Sequence, residues 1–332
     1  MENDIEHPLI KDLNPQLKDL KRNDLVILKN LLSEYTDRPT SKILAEISAR
    51  YRLDIASYFF LQYHHQIPQN QKLYQQYRQH FSNIVEEKPL EGLAHLREHF
   101  IAFVPGFAYK EDTTTGADFA RQRSLLTNMN INHQLIEIEE WGLVENNAKF
   151  IASTLENLCT EHEEIIVVSA SKGGLETSIA LGKYANPDKI TPLKHWISVG
   201  GILQGSPLAD GYLSGYKYWF SKFMLWIKKK DPSFLKEISF QYRSETFKTL
   251  NFPAHIQRIH FVGIPIASAI SDKIKKRHGS MLHKYGPNDG LTPLAEEVTD
   301  GGIVIAELGL DHYFQHPQID QKTLALALMA ID

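Results

Sequence analysis

The sequence predicts an α/β fold, with a mostly parallel central sheet, flanking helices and a helical region in front of it. Three observations predict this. From about residue 100, short apolar β-branched runs alternate with helix-length stretches and glycine-rich turns. The runs are continuously apolar, as in strands buried on both faces of a parallel sheet. Residues 1–95 differ in texture, with no glycine before Gly92 and frequent Gln, Tyr, Leu and Lys.

In the first region, Leu25 to Tyr35 reads as one helix, and Ile43, Ile47 and Tyr51 mark one face of a second. Leu73, Tyr77, Phe81 and Ile84 recur at spacings of four, four and three, which is one face of a third. The strand candidates are 101–104, 134–138, 165–168, 195–199, 259–262 and 303–305, with helices expected at 117–130, 144–160 and 173–185. Right-handed crossovers then connect parallel strands. The chain has 332 residues. A single domain runs to about 200–250 residues. The division expected is a helical region at 1–95 and one large domain at 96–332, with a helical insertion at about 205–255.

Composition excludes several classes. Hydrophobic residues make up 42% and charged residues 23%, which argues against wholesale disorder. A net charge of −4 gives no electrostatic footprint for nucleic acid. The single cysteine, Cys159, forbids an internal disulfide and fits a reducing compartment. The start, Met1 to His7, lacks the basic and apolar regions of a signal peptide, and no run reaches the roughly 18 apolar residues of a membrane span. A soluble, cytoplasmic chain is expected.

Chemistry concentrates in Ile165 to Leu175, where a buried strand runs into Ser169-Ala170-Ser171-Lys172-Gly173 and a helix pattern follows. A serine at such a turn holds its hydroxyl clear of the backbone, provided the residues two before and two after are small. Ser169 and Gly173 meet that condition around Ser171. The N-terminus of the next helix then faces any developing negative charge. Ser169 is a rival without symmetric small flanks. A Ser-Lys-Gly-Gly surface loop is the bland alternative.

A serine hydroxyl needs an adjacent base, itself oriented by a carboxylate. Asp289 lies in the turn-rich run Gly286 to Pro293, and His312 follows the last strand, 23 positions later. Asn288-Asp289-Gly290 is also a common turn, so punctuation is the lesser alternative for Asp289. His260 lies inside a strand pattern and reads as a core histidine, whereas His278 and His283 read as part of a solvated basic loop. His316 lies further from the strand end. Asp311 directly precedes His312 and cannot easily reach that ring. An oxyanion needs two preorganised N–H donors, for which Lys172, after the serine, and Phe107, after Pro105-Gly106, are the candidates.

These residues resemble bacterial lipases and related α/β-hydrolases. The resemblance rests on Ser169 to Gly174, on Gln204-Gly205-Ser206-Pro207-Leu208-Ala209-Asp210, and on Asn288 to Leu291 followed by His312. It covers about residues 100–316 and implies an α/β-hydrolase fold. It also implies a Ser171, Asp289 and His312 triad, with Phe107 and Lys172 giving the oxyanion N–H groups. The usual Gly-His before the nucleophile is Ser169-Ala170 here, and the His-Gly of the oxyanion loop is Pro105-Gly106. Gln315 is neutral where those lipases often place a calcium-binding Asp, so no metal or other cofactor is expected.

Tyr212, Tyr216, Trp219, Phe220, Phe223 and Ile227 follow helical spacing and end on Lys228-Lys229-Lys230. Tyr216, Trp219, Phe220 and Phe223 are expected to form a lid or acyl pocket. The lysine-rimmed aromatic face also suits peripheral contact with a membrane. The expected activity is hydrolysis of carboxylic esters, of small molecules or lipids, through an acyl-enzyme. The alternatives are acyl transfer on the same triad, peptidase or amidase activity, and a non-catalytic interaction protein of the same fold.

Overall fold

The structure is a computed structural model. It describes residues 10–213, 219, 222, 225, 227, 229–266 and 270–332. Six parallel strands form one sheet: β1 (Phe100–Val104), β2 (His133–Leu135), β3 (Ile165–Ala170), β4 (Leu193–Val199), β5 (Gln257–Ile264) and β6 (Ile303–Leu308). Their order across the sheet is β2-β1-β3-β4-β5-β6. The helices are α1 (Arg22–Glu34), α2 (Ser41–Arg50), α3 (Leu53–His65), α4 (Pro68–Val85), α5 (Leu93–Leu96), α6 (Ala120–Asn128), α7 (Val144–Glu161) and α8 (Lys172–Ile179). After them come α9 (Pro207–Tyr212), α10 (Ser233–Glu237), α11 (Phe240–Phe247), α12 (Asp272–Tyr285) and α13 (Ile319–Ile331). A π-helical turn, Ala180–Tyr184, extends α8.

The strands are apolar throughout because both faces are covered. Ile101, Phe103, Ile166 and Val168 face a core shared with α4, α6 and α13. Ala102, Val104, Ile165 and Val167 face the opposite core, shared with α7 and α8. The N-terminal helices belong to the same packing. Leu28, Leu31, Leu44, Phe59 and Phe60 of α1–α3 bury against Val262, Ile264, Val304 and Ala306 of β5 and β6. Each such side chain contributes about 1.5–3 kcal/mol relative to exposure.

The edge strand β6 leaves one row of backbone groups without a sheet partner, a template for unwanted pairing. Side chains from the N-terminal region occupy that row. Gln16 donates through Nε2 to the Ala306 carbonyl (2.9 Å) and accepts through Oε1 from the Leu308 N–H (2.8 Å). Asn70 Oδ1 accepts from the Val304 N–H at 3.3 Å. One primary amide thus imitates a short piece of strand, and α3 and α4 close the edge from either side.

Two local expectations shift. β2 is shorter than the apolar run suggested, because only 133–135 pair with β1 while Ile136 and Ile138 turn into the core. The basic stretch around His278 is not a solvated loop. It is the helix α12, whose buried face includes Ile274, His278 and Met281 while Lys275, Lys276 and Arg277 are exposed. The dense lysines obscured a three- and four-residue apolar spacing.

The connections reverse direction between β1 and β3: β2 lies to one side of β1 and every later strand to the other. In an open α/β sheet, the crevice at the carboxyl ends of such a switch point is where ligands bind. Phe107 follows β1 and Ser171 follows β3, at that crevice.

Candidate active site

Ser171 joins β3 to α8 with φ 52° and ψ −122°. That conformation is costly for a residue with a Cβ, by about 1–3 kcal/mol, and survives only where the surroundings enforce it. The enforcement is close packing. A Cβ on Gly173 would sit 2.3 Å from the Pro105 carbonyl oxygen and 2.8 Å from that of Val104. A glycine there lets α8 begin directly beneath the loop that leaves β1. Ser169 is excluded as a rival: it is fully buried, and its Oγ accepts a 2.8 Å bond from Trp196 Nε1.

The other two expected residues converge on Ser171. His312 Nε2 lies 2.8 Å from Ser171 Oγ, and its Nδ1 meets Asp289 Oδ2 in a short hydrogen bond. Asp289 is fully buried, and its Oδ1 accepts the N–H groups of Leu291 and Thr292, each at 2.8 Å. The His312 N–H donates to the Asp289 carbonyl at 3.0 Å, so the two loops are also joined through backbone. Paired in this way, Nδ1 carries the proton and Nε2 is left to accept from the serine.

The Gly-Ser-Pro stretch holds the Asp289 loop. Ser206 Oγ donates to the Leu291 carbonyl at 2.5 Å, and Thr292 Oγ1 donates to the Gly205 carbonyl at 3.1 Å. Ser206 Oγ also accepts from the Leu208 N–H at 3.3 Å as the N-cap of α9. These ties were not foreseen from sequence, and nothing in the spacing of residues 205 and 292 signals them.

The competing groups are committed elsewhere. Asp311 accepts from the N–H groups of Ser271 (2.9 Å) and Tyr313 (3.0 Å). His260 is fully buried, and its Nε2 accepts the Thr299 N–H at 3.2 Å. Burial pushes its pKa down to about 3. His316 Nδ1 accepts the Gln318 N–H at 3.1 Å.

Lys172 neither reaches solvent nor lines the cavity. Its side chain is buried in an ion pair with Glu176, one helical turn on, and lies 5.5 Å from the Phe234 ring centre. Asn147 Nδ2 donates to the same Glu176 oxygen at 2.7 Å, while Glu176 Oε2 has no partner among the described residues. Burial raises the Glu176 pKa, and the Lys172 charge opposes that rise. The i, i+4 spacing of Lys172 and Glu176 was the one available signal for this pair.

Among the described residues, no backbone hydrogen bond of the turn uses the Phe107 or the Lys172 N–H. The Phe107 ring packs edge-on to Trp141 at 4.7 Å and against Phe234 of α10 at 5.5 Å. The segment between β4 and β5 therefore touches the loop after β1. A cavity of about 680 Å³ opens at Ser171 and His312, with Phe107, Phe119, Leu291 and Phe314 in its walls. Of the expected lid residues, Tyr216, Phe220 and Phe223 lie outside the described residues. Trp219 is 70% exposed and does not line the cavity.

The chain resembles solved structures in fold. It matches the metagenomic carboxyl esterase MGS0156 with a TM-score of 0.56 and 18% identity, over 74% of this chain and 76% of that one. It matches the mature lipase BlEst2 of Bacillus licheniformis with a TM-score of 0.52 and 19% identity, over 68% of this chain and 87% of that one. The fold is the α/β-hydrolase fold. The resemblance to bacterial esterases and lipases drawn from the motifs thus holds at the level of fold. No protein-family model matches the sequence, and no curated protein matches it in sequence. No helix among the described residues is long and apolar enough to cross a membrane.

Proposed function

We propose that the chain is a serine hydrolase that cleaves carboxylic esters carrying an apolar acyl group. The observation that carries this reading is the continuous relay from Asp289 through His312 to Ser171 at a strained strand-to-helix turn. The shared fold with a carboxyl esterase and a lipase supports it.

In this reading Ser171 Oγ attacks the ester carbonyl carbon and passes its proton to His312 Nε2. Asp289, held by two backbone N–H groups, stabilises the resulting imidazolium. The Phe107 and Lys172 N–H groups receive the tetrahedral oxyanion, aided by the N-terminus of α8. The carbon–oxygen bond to the alcohol then breaks as His312 returns the proton to the leaving oxygen. Water repeats the sequence on the acyl-enzyme, releasing the acid and restoring Ser171. The apolar walls of the cavity accept the acyl chain.

Labelling with a fluorophosphonate tests the reading, because that reagent reports serine activation without a known substrate. Wild type is expected to label and Ser171→Ala to remain unlabelled. A folded wild type that does not label overturns the proposal.

A further inference from the structure

We propose a second site, unrelated to Ser171: His95, His99 and Glu164 bind a divalent transition-metal ion of the Zn²⁺ class. Their candidate ligand atoms all lie within 4.8 Å of one another. His95 closes the last turn of α5, and His99 immediately precedes β1. Glu164 immediately precedes β3. All three therefore stand at the amino ends of the strands, whereas Ser171 stands at the carboxyl ends.

The spacing has a physical basis. His95 and His99 are four residues apart on a chain that keeps turning after α5, since the Glu98 and His99 N–H groups bond back to the carbonyls of His95 (3.0 Å) and Leu96 (3.2 Å). Their rings therefore share one side, with centres 4.8 Å apart. The His99 ring is almost wholly buried, and its Nδ1–H donates to the His95 carbonyl at 3.0 Å. A metal-binding histidine is commonly held by such a backbone bond on its other nitrogen, which fixes the tautomer and aims the remaining lone pair. Here the remaining nitrogen is Nε2, which faces Glu164 Oε2, 2.7 Å away.

Two arrangements can occupy that geometry. One is an imidazolium paired with the carboxylate. The other is a neutral imidazole and a carboxylate that share a cation. The exposed His95 ring favours the second, because it brings a further nitrogen ligand to the same point and has no protein hydrogen bond of its own among the described residues. Two imidazoles and a carboxylate match the ligand preferences of Zn²⁺, with water at the fourth position. Ligand atoms around tetrahedral zinc stand roughly 3.3 Å apart, given bonds of about 2.0 Å. The Nε2 to Oε2 separation must therefore open slightly, and the Glu164 side chain, 41% exposed, has room to do so.

A bound ion would tie α5 to the amino ends of β1 and β3 and so act on stability. Calorimetric titration of the full chain with ZnCl₂ is the test, comparing wild type with His95→Ala and Glu164→Gln. The chain has 15 histidines, so His133→Ala controls for binding elsewhere. The expected result is one ion per chain, weakened at least tenfold by either site variant and unaffected by His133→Ala. At free metal a hundredfold above the wild-type Kd, Tm should rise by roughly 4 °C in wild type and His133→Ala, and by about 2 °C or less in the site variants. Co²⁺ should give visible absorption bands that the site variants lose. His95 is exposed, so His95→Ala is expected to fold. If it binds Zn²⁺ as wild type does, the site does not exist and His99 and Glu164 form a simple ion pair.

Discussion

Replacing Lys172 by Met separates the two parts that this residue plays. Its backbone N–H is a candidate oxyanion donor, whereas its side chain is sealed in the ion pair with Glu176. Lys172 is 2% exposed and Glu176 is fully buried. Breaking a buried pair from one side costs about 3–5 kcal/mol, because the remaining charge is stranded. Glu176 can escape only by taking up a proton. At pH 7, protonating a carboxyl with an ordinary pKa near 4.3 costs about 3.7 kcal/mol, which falls in the same range. Lys172→Met should therefore lose about 3–4 kcal/mol in urea unfolding at pH 7. At pH 5 the same arithmetic leaves about 1 kcal/mol. The sign follows from the carboxyl's pKa, raised in the folded variant: its protonated form is favoured at low pH, and stability is lost as pH rises through that pKa. Lys172→Met/Glu176→Gln removes the stranded charge and keeps an amide oxygen for Asn147, so it should recover to within about 1 kcal/mol of wild type. Fluorophosphonate labelling of the double variant should stay within a few-fold of wild type, since the backbone N–H is unchanged. A single variant as stable as wild type at pH 7, or a double variant no better than the single, refutes the argument.

Two further perturbations follow from the geometry. Gly173→Ala places a methyl 2.3 Å from the Pro105 carbonyl oxygen. Backbone must move by about 1 Å, a displacement that costs on the order of 100-fold in rate. Stopped labelling kinetics should show that drop with a lowered Tm, and an unchanged rate would mean that the turn tolerates a side chain. His64 is buried without a partner for either ring nitrogen among the described residues, and burial pushes its pKa down to about 3. Because the unfolded ring binds a proton near pH 6.5, the folded state loses stability as pH falls from there toward 3, by up to about 1.4 kcal/mol per pH unit. His64→Phe, which keeps the contact with Phe60, should match or exceed wild-type stability at pH 7.5 and show a shallower decline between pH 6 and 4. An identical decline would show that His64 is not a source of acid sensitivity.

What could be read from sequence was local. The strand-to-helix turn at Ser171 is legible because strain forces small residues on both sides of it, and that demand leaves a trace within five positions. The parallel sheet is legible because burial on two faces removes alternation from Ile165 to Val168. Asp289 and His312 were chosen as candidates through their strand ends, since the topology delivers every strand's carboxyl end to one edge. Distant pairings left no such trace. Ser206 with Leu291, Gln16 with the β6 edge and Asn147 with Glu176 each join residues whose spacing carries no period, and their side chains are of types that occur throughout the surface. The buried face of α12 was hidden differently, by lysines that crowd its apolar positions.

The same contrast bears on how the site is held. Three loops from three strand ends meet at Ser171, and each is held against another loop: Gly173 by close packing beneath Pro105, Leu291 by a hydrogen bond to Ser206, His312 by one to Asp289. A relay assembled this way depends on the whole crevice staying closed-packed. Substitutions at Gly173, Ser206 or Thr292 should therefore slow labelling even though none of them touches the serine hydroxyl. The sheet beneath, buried on both faces and capped along β6, is what makes so many cross-loop contacts hold one geometry.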